Sequence, residues 1–286
     1  TLRPLALAAA LALPAHAGPL GLSDTPLQIS TVVEPNVMLL VDNSLSMRQI
    51  IWHEDYDPQG SYGAWQYCSQ GWSDCTQWSN LNADTPSYTP SNFRRAGCST
   101  GFSLFRRGWT TKCLKLPAPG GSNGTWYMGR YVRFLLDHFP NNTDLTNGAI
   151  PNDYRMNVAR EVAKDLVQYT PGMRFGLANL NYTHGGHIAA SCGTDKPALV
   201  DSIDELTPST FTPLAESLFE ITRYFRGLGS FYNNNNYTSP IQFRCQKSFT
   251  VVITDGLPTY DGTYPEDPND TDDPEGLLPN WDGVDN

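Results

Sequence analysis

The chain of 286 residues contains no C-x-x-C, no P-loop and no H-E-x-x-H. Lack of a C-x-x-C argues against zinc-ribbon or thioredoxin-like chemistry, and the other two absences remove common nucleotide-binding and zinc-hydrolase signatures. No pair of carboxylates stands in a pattern that suggests a substrate cleft, so catalysis is not expected. Basic residues are few: 19 Lys and Arg stand against 29 Asp and Glu, a formal net charge of −10. With no basic stripe to neutralise phosphates, nucleic acid is not an expected partner. No apolar run is long enough for a bilayer, so no transmembrane segment is expected.

The acidic excess is local. After Asp255 come seven Asp and two Glu with no Lys or Arg, which places −9 of the −10 in the last 31 residues. Residues 261–286 therefore read as a solvated acidic linker. Its "NDTDDPEG" invites a calcium reading, but Glu275 stands where an EF-hand loop needs its sharp-turn Gly, and no terminal bidentate Glu follows.

What the chain has in abundance is aromatic: 14 Tyr, 12 Phe and 7 Trp, with six of the Trp between positions 52 and 126. It opens on "TLRPLALAAALALPAHAG", an Arg and an apolar stretch ending in Ala15-His16-Ala17. This reads as a signal-peptide remnant over residues 1–17, so the protein is expected to be exported. In an oxidising compartment Cys68, Cys75, Cys98, Cys113, Cys192 and Cys245 suggest three disulfides, although sequence does not fix the pairing. Local staples Cys68–Cys75 and Cys98–Cys113 are favoured, leaving Cys192–Cys245 as a long-range bridge.

Residues 18–34 read as an extended lead-in. The run Val37-Met38-Leu39-Leu40-Val41 then has the continuous apolar character of a strand buried on both faces. From about 50 to 125 no period is sustained, and Trp, Tyr, Gly, Ser, Pro and four Cys mix. That stretch reads as a disulfide-rich, loop-rich insertion packed on its own aromatics, which could alternatively form an adhesive surface. "TWYMGRYVRFLLDHF" reads as a helix. Between Met156 and Gln168, Ala159, Val162, Ala163, Leu166 and Val167 fall on one helical face. Strands are expected at 173–182 and in "GGHIAASCG", joined by a hairpin in which His184 and His187 are solvated. A short helix follows near 197–206. In "TPLAESLFEITRYF", Thr212 suits an N-cap and Pro213 the first helical position, with Leu214, Leu218, Ile221 and Phe225 at helical spacing. The last strong strand, 249–254, ends on Asp255.

Alternating strands and helices favour a parallel-dominated α/β sheet. Two of its buried strands would end on aspartates, Asp42 and Asp255, where open α/β sheets bind ligands. Neighbouring carboxylates repel unless a cation lies between them. With the hydroxyls of Ser44 and Ser46 they make an all-oxygen set suited to Mg²⁺, with Mn²⁺ or Ca²⁺ as alternatives.

"Asp42-x-Ser44-x-Ser46", Thr212 in "TPLAE" and "Thr254-Asp255-Gly256" together resemble the metal-ion-dependent adhesion site of von Willebrand factor A domains. "STVVEPNVMLLVDNSLSM" and "SPIQFRCQKSFTVVITDGLPT" look like the PilY/PilC family of type IV pilus tip adhesins, over roughly 28–50 and 154–260. The resemblance implies a Rossmann-like von Willebrand A domain at 35–260, interrupted by the insertion. It also implies direct metal ligation by Ser44, Ser46 and Thr212, with Asp42 and Asp255 acting mainly through bound waters and one position left for a partner's acidic group. Leu45, where the family often has Gly, should alter loop geometry only slightly. Expected partners are pilin-like minor subunits and a host-cell or abiotic surface supplying a carboxylate. The location implied is the periplasm in transit, then the pilus tip. Family members continue into a C-terminal β-propeller, so the chain is expected to be an N-terminal fragment. A plainer alternative is a disulfide-locked spacer whose metal only stabilises the fold.

Overall fold

The computed structural model describes residues 33–262. The signal-peptide reading, nearly all of the lead-in and nearly all of the acidic linker, with its calcium alternative, lie outside the described residues. In chain order the elements are β1 (Asn36–Val41), β2 (Gln66–Gln70), β3 (Gln77–Asn80), β4 (Ser103–Arg107) and β5 (Thr110–Lys115). Then come α1 (Gly129–His138), β6 (Thr143–Asp144), α2 (Arg155–Tyr169), β7 (Arg174–Leu180) and β8 (Gly186–Ala190). The described chain closes with α3 (Lys196–Asp204), α4 (Leu214–Arg226) and β9 (Ser248–Ile253).

All six residues of β1 are buried. Alternation decides where each goes: Val37, Leu39 and Val41 enter one core, Met38 and Leu40 the other. Each fully buried Leu or Met contributes about 1.5–3 kcal/mol, and a one-residue slip would exchange both faces at once. Register is therefore held tightly. β1 pairs in parallel with β7 on one side and β9 on the other, while β8 joins β7 antiparallel, giving the order β8-β7-β1-β9. Met156, Ala159, Ala163 and Val167 of α2, with Leu199 and Ile203 of α3, cover the first face. Ile221 and Tyr224 of α4 cover the second. The architecture is thus mixed α/β, with helices on both faces of a mostly parallel sheet. Among the described residues β9 is an end strand, and Phe249 and Val251 are exposed on it.

The stretch after residue 50 is more regular than its composition suggests. β2, β3, β4, β5 and β6 form a second sheet, ordered β3-β2-β4-β5-β6 and antiparallel except for β5 with β6. Its core runs from Ile50 to Ile150 and includes Trp65, Phe105, Leu114, Tyr127, Tyr131 and Leu135. The loop-rich expectation is corrected accordingly, and so is the boundary near 125: α1 is helical as expected, but it packs into this second core. Gly129 opens that helix where a Cβ would sit 1.8 Å from the carbonyl oxygen of Asn82. Only glycine fits so close to backbone.

Cys68–Cys75 and Cys98–Cys113 are disulfides. The expected Cys192–Cys245 bridge is not formed: Cys192 is a buried thiol beneath α4, its amide donating to the Tyr224 hydroxyl, and Cys245 is an exposed one. Two details of the helices also differ. Val162 faces solvent, because the buried stripe of α2 follows Met156, Ala159, Ala163 and Val167 instead. Helix α4 begins at Leu214 with Pro213 in the cap position, one residue later than expected.

Candidate metal site

The end of β1 feeds a tight turn in which Asp42 Oδ1 accepts the Ser44 amide at 2.7 Å. That bond holds Ser44 back over the strand end and launches a 3-10 turn at Leu45–Arg48, which carries Ser46 onto the same side. Ser46 donates to Asp255 Oδ1 at 2.8 Å, and Ser44 and Ser46 Oγ lie 2.8 Å apart. Since the Ser46 proton goes to the carboxylate, Ser44 donates to Ser46. Asp42 Oδ2 accepts the Thr254 hydroxyl at 2.7 Å, so the ends of adjacent strands β1 and β9 are tied across both aspartates. Asp42 and Ser44 are almost wholly buried.

Thr212 arrives by a different route. Ser44 and Thr210 form a parallel bridge, and the Leu45 amide donates to the Thr210 carbonyl at 2.9 Å. Leu45 opens the 3-10 turn itself. The Thr212 amide donates to Thr259 Oγ1 at 3.0 Å and its carbonyl accepts the Thr259 amide at 2.9 Å. Thr212 is therefore clamped at the same sheet end. It does not cap α4; the Asp261 carboxylate does so from across space, accepting the Ala215 and Glu216 amides at 2.7 and 2.8 Å.

The donor set is all hydroxyl and carboxylate oxygen, which suits a hard dication. The 2.8 Å separations of Ser44 from Ser46 and of Ser46 from Asp255 are the ordinary length of the O–H···O hydrogen bonds that join them. A fixed charge is also present: the Arg155 guanidinium pairs with Asp255 Oδ2 while lying 5.1 Å from the Trp52 ring centroid.

Sequence reasoning missed three features. Asn43, buried inside the motif, accepts the Leu180 amide at 2.9 Å through Oδ1, and its carbonyl accepts the Ser209 amide at 2.8 Å. It thereby joins β1, β7 and the loop carrying Thr212. It also lines a cleft of about 510 Å³ with Asn179, Tyr182, His187, Glu205 and Thr210. Glu216 and Glu220 are fully buried on α4: Glu216 accepts the Gly185 amide, and Glu220 accepts the Tyr237 hydroxyl at 2.7 Å. Carboxylates four residues apart among Leu218, Phe219 and Ile221 were the available signal. Third, Gly97-x-Ser99-x-Gly101 has the letters of a nucleophile elbow, but it lies in a turn leading to β4 and no helix follows, so the required context is absent.

The hairpin expected at His184 and His187 is present, with the Asn181 amide donating to Gly185. The imidazoles are not both solvated: His184 Nδ1 lies 3.3 Å from buried Glu216, and burial lowers the pKa of His187. The tryptophans divide by exposure. Trp65 is core, Trp72 and Trp109 project into solvent, and Trp78 carries Arg106 at 4.2 Å.

Comparison with family models, with curated proteins and with solved structures found no match to this chain.

Proposed function

We propose that this is a binding protein rather than an enzyme: an exported, metal-dependent adhesion domain of the von Willebrand A type, resembling those of type IV pilus tip adhesins. The observation that carries the reading is the continuous chain of oxygen contacts from Ser44 through Ser46 to Asp255, with Asp42 braced by Thr254, at the carboxyl ends of two neighbouring parallel strands. Ser44, Ser46 and Thr212 would hold Mg²⁺ or Mn²⁺, and Asp42 and Asp255 would balance its charge. When bound, the ion supplies a Lewis-acid contact for a carboxylate on a pilin-like subunit or a surface. Exposed Trp72 and Trp109 offer a second contact area, because aromatic side chains bury large areas at low entropic cost.

A specific observation also favours a structural reading. Both aspartates already have protein partners: the Ser44 amide and Thr254 hydroxyl for Asp42, and Ser46 with Arg155 for Asp255. A spacer stabilised by this network would need no metal-borne contact. Attachment to a pilin-coated or abiotic surface, measured with and without EDTA for the parent and for Asp42→Ala and Ser44→Ala, separates the two. The adhesin reading expects Mg²⁺-restored attachment that both substitutions abolish. Attachment indifferent to EDTA and to both changes would overturn it.

A further inference from the structure

We propose a transition-metal site, separate from the oxygen cluster, formed by His53, Asp55 and His138. Each offers a ligand atom within 4.8 Å of the other two, and among the described residues it is the one grouping of three or more His, Cys, Asp or Glu that meets this spacing. His53 and Asp55 sit in the turn that follows the metal-site loop, while His138 is the last residue of α1. The second core brings them together, since Tyr131 of α1 accepts the His53 amide at 2.9 Å.

The imidazoles are held in an aromatic frame. Their ring centroids are 5.3 Å apart; His138 packs 5.0 Å from Phe134 and 4.8 Å from Phe139, and His53 lies 5.9 and 5.8 Å from the same two rings. The aromatic neighbours bring the two imidazoles side by side, and His138 stays open to solvent. His53 Nδ1 is 3.8 Å from Asp55 Oδ2, and the Asp55 side chain is 63% exposed, free to swing inward. Tetrahedral Zn²⁺, with Zn–N near 2.0–2.1 Å, needs ligands about 3.4 Å apart, so modest side-chain rotations close the triangle. Binding would take His53 Nδ1 from the Asp55 amide, which now donates to it at 3.1 Å. That amide is exposed, so water can replace the lost acceptor. Position at the carboxyl end of α1 adds a favourable field for a cation.

The ligand chemistry sets selectivity. Two imidazoles and one carboxylate favour Zn²⁺, Cu²⁺ or Ni²⁺ over Mg²⁺, the reverse of the preference at Asp42 and Ser44. The site leaves a fourth position open for water or a ligand.

The test is a Zn²⁺ titration of the tag-free full chain against a chromophoric chelator, with Mg²⁺ saturating and Cys245→Ser removing the exposed thiol. One equivalent is expected to bind in the micromolar range or tighter. His138→Ala and Asp55→Asn, both at exposed positions, should weaken it at least tenfold with unchanged circular dichroism. Asp42→Ala should leave Zn²⁺ uptake intact, so failure of the adhesion reading would not remove this one. Absence of saturable binding, or binding unchanged in His138→Ala, would overturn the proposal. So would loss of binding only on replacing His184 and His187.

Discussion

The Arg155 guanidinium and the Asp255 carboxylate form an ion pair at the edge of the oxygen cluster, with Asp255 Oδ1 turned the other way to accept the Ser46 hydroxyl. Both side chains are largely shielded, at 24% and 11% exposure, so the pair is felt more strongly than one on an open surface. It places a permanent positive charge next to a carboxylate that a bound dication would also use. Arg155 would thereby compete with the proposed cation for Asp255, and the Trp52 ring lies beside its guanidinium.

Replacing Arg155 by Ala is therefore expected to tighten Mg²⁺ or Mn²⁺ binding roughly three- to tenfold, the scale of an ion-pair contribution near 1 kcal/mol. The same change should lower metal-free stability by a similar amount. Isothermal titration and denaturant melts read both quantities. Weaker metal binding in the variant would mean that Arg155 holds Asp255 in place rather than competing for it.

The clamp on Thr212 leads to a second expectation. Asp261 satisfies two amides at the start of α4, a role that elsewhere falls to the residue just before the helix. Asp261→Ala should cost about 1 kcal/mol and loosen the loop that presents Thr212. A lowered denaturant midpoint with an unchanged slope, accompanied by weaker metal binding, is the expected pattern. If metal binding is untouched while stability falls, Thr212 is not a ligand.

That exchange of roles also shows where sequence was informative. Val37 to Val41 announced a two-sided strand because every position is apolar, and the aspartates ending β1 and β9 were visible for the same reason. Thr212 looked like the α4 cap because capping was judged from neighbours in sequence, whereas the residue that caps lies 46 positions downstream of Ala215. The second sheet was hidden differently. Its strands are four to six residues long apart from two-residue β6, β2 has a bulge between Cys68 and Gln70, and its exposed faces carry Gln, Ser, Thr and Arg. Short strands of that kind show no clean alternation.

The cysteines give a third test. Burial raises the Cys192 thiol to about 11, offset only in part by the Tyr224 hydroxyl and Arg174. At neutral pH it is almost wholly protonated and, being enclosed, inert to alkylation, while Cys245 is exposed. Iodoacetamide on the native protein should add one label, at Cys245, and a second at Cys192 only after unfolding without reductant. Peptide mass spectrometry locates both. No label in either state would restore the long-range disulfide.

His187 sets the last expectation, a dependence on pH. It lies on β8 opposite Asn179 and lines the cleft shared with Asn43 and Glu205. Burial holds its imidazole below the ordinary value of 6.5, so the native state takes up its proton less readily than the unfolded chain does. Its contribution is therefore fully present above the unfolded value and is lost as pH falls through the lowered native value. Total stability between pH 7 and pH 5 also carries the titration of the other acids and bases, so the informative quantity is the difference between the parent and His187→Gln. That difference should shrink toward acid, because the variant carries no group there to charge. Urea midpoints at half-unit pH steps would reveal it, and a difference that stays constant or grows toward acid would mean that His187 charges freely within the fold.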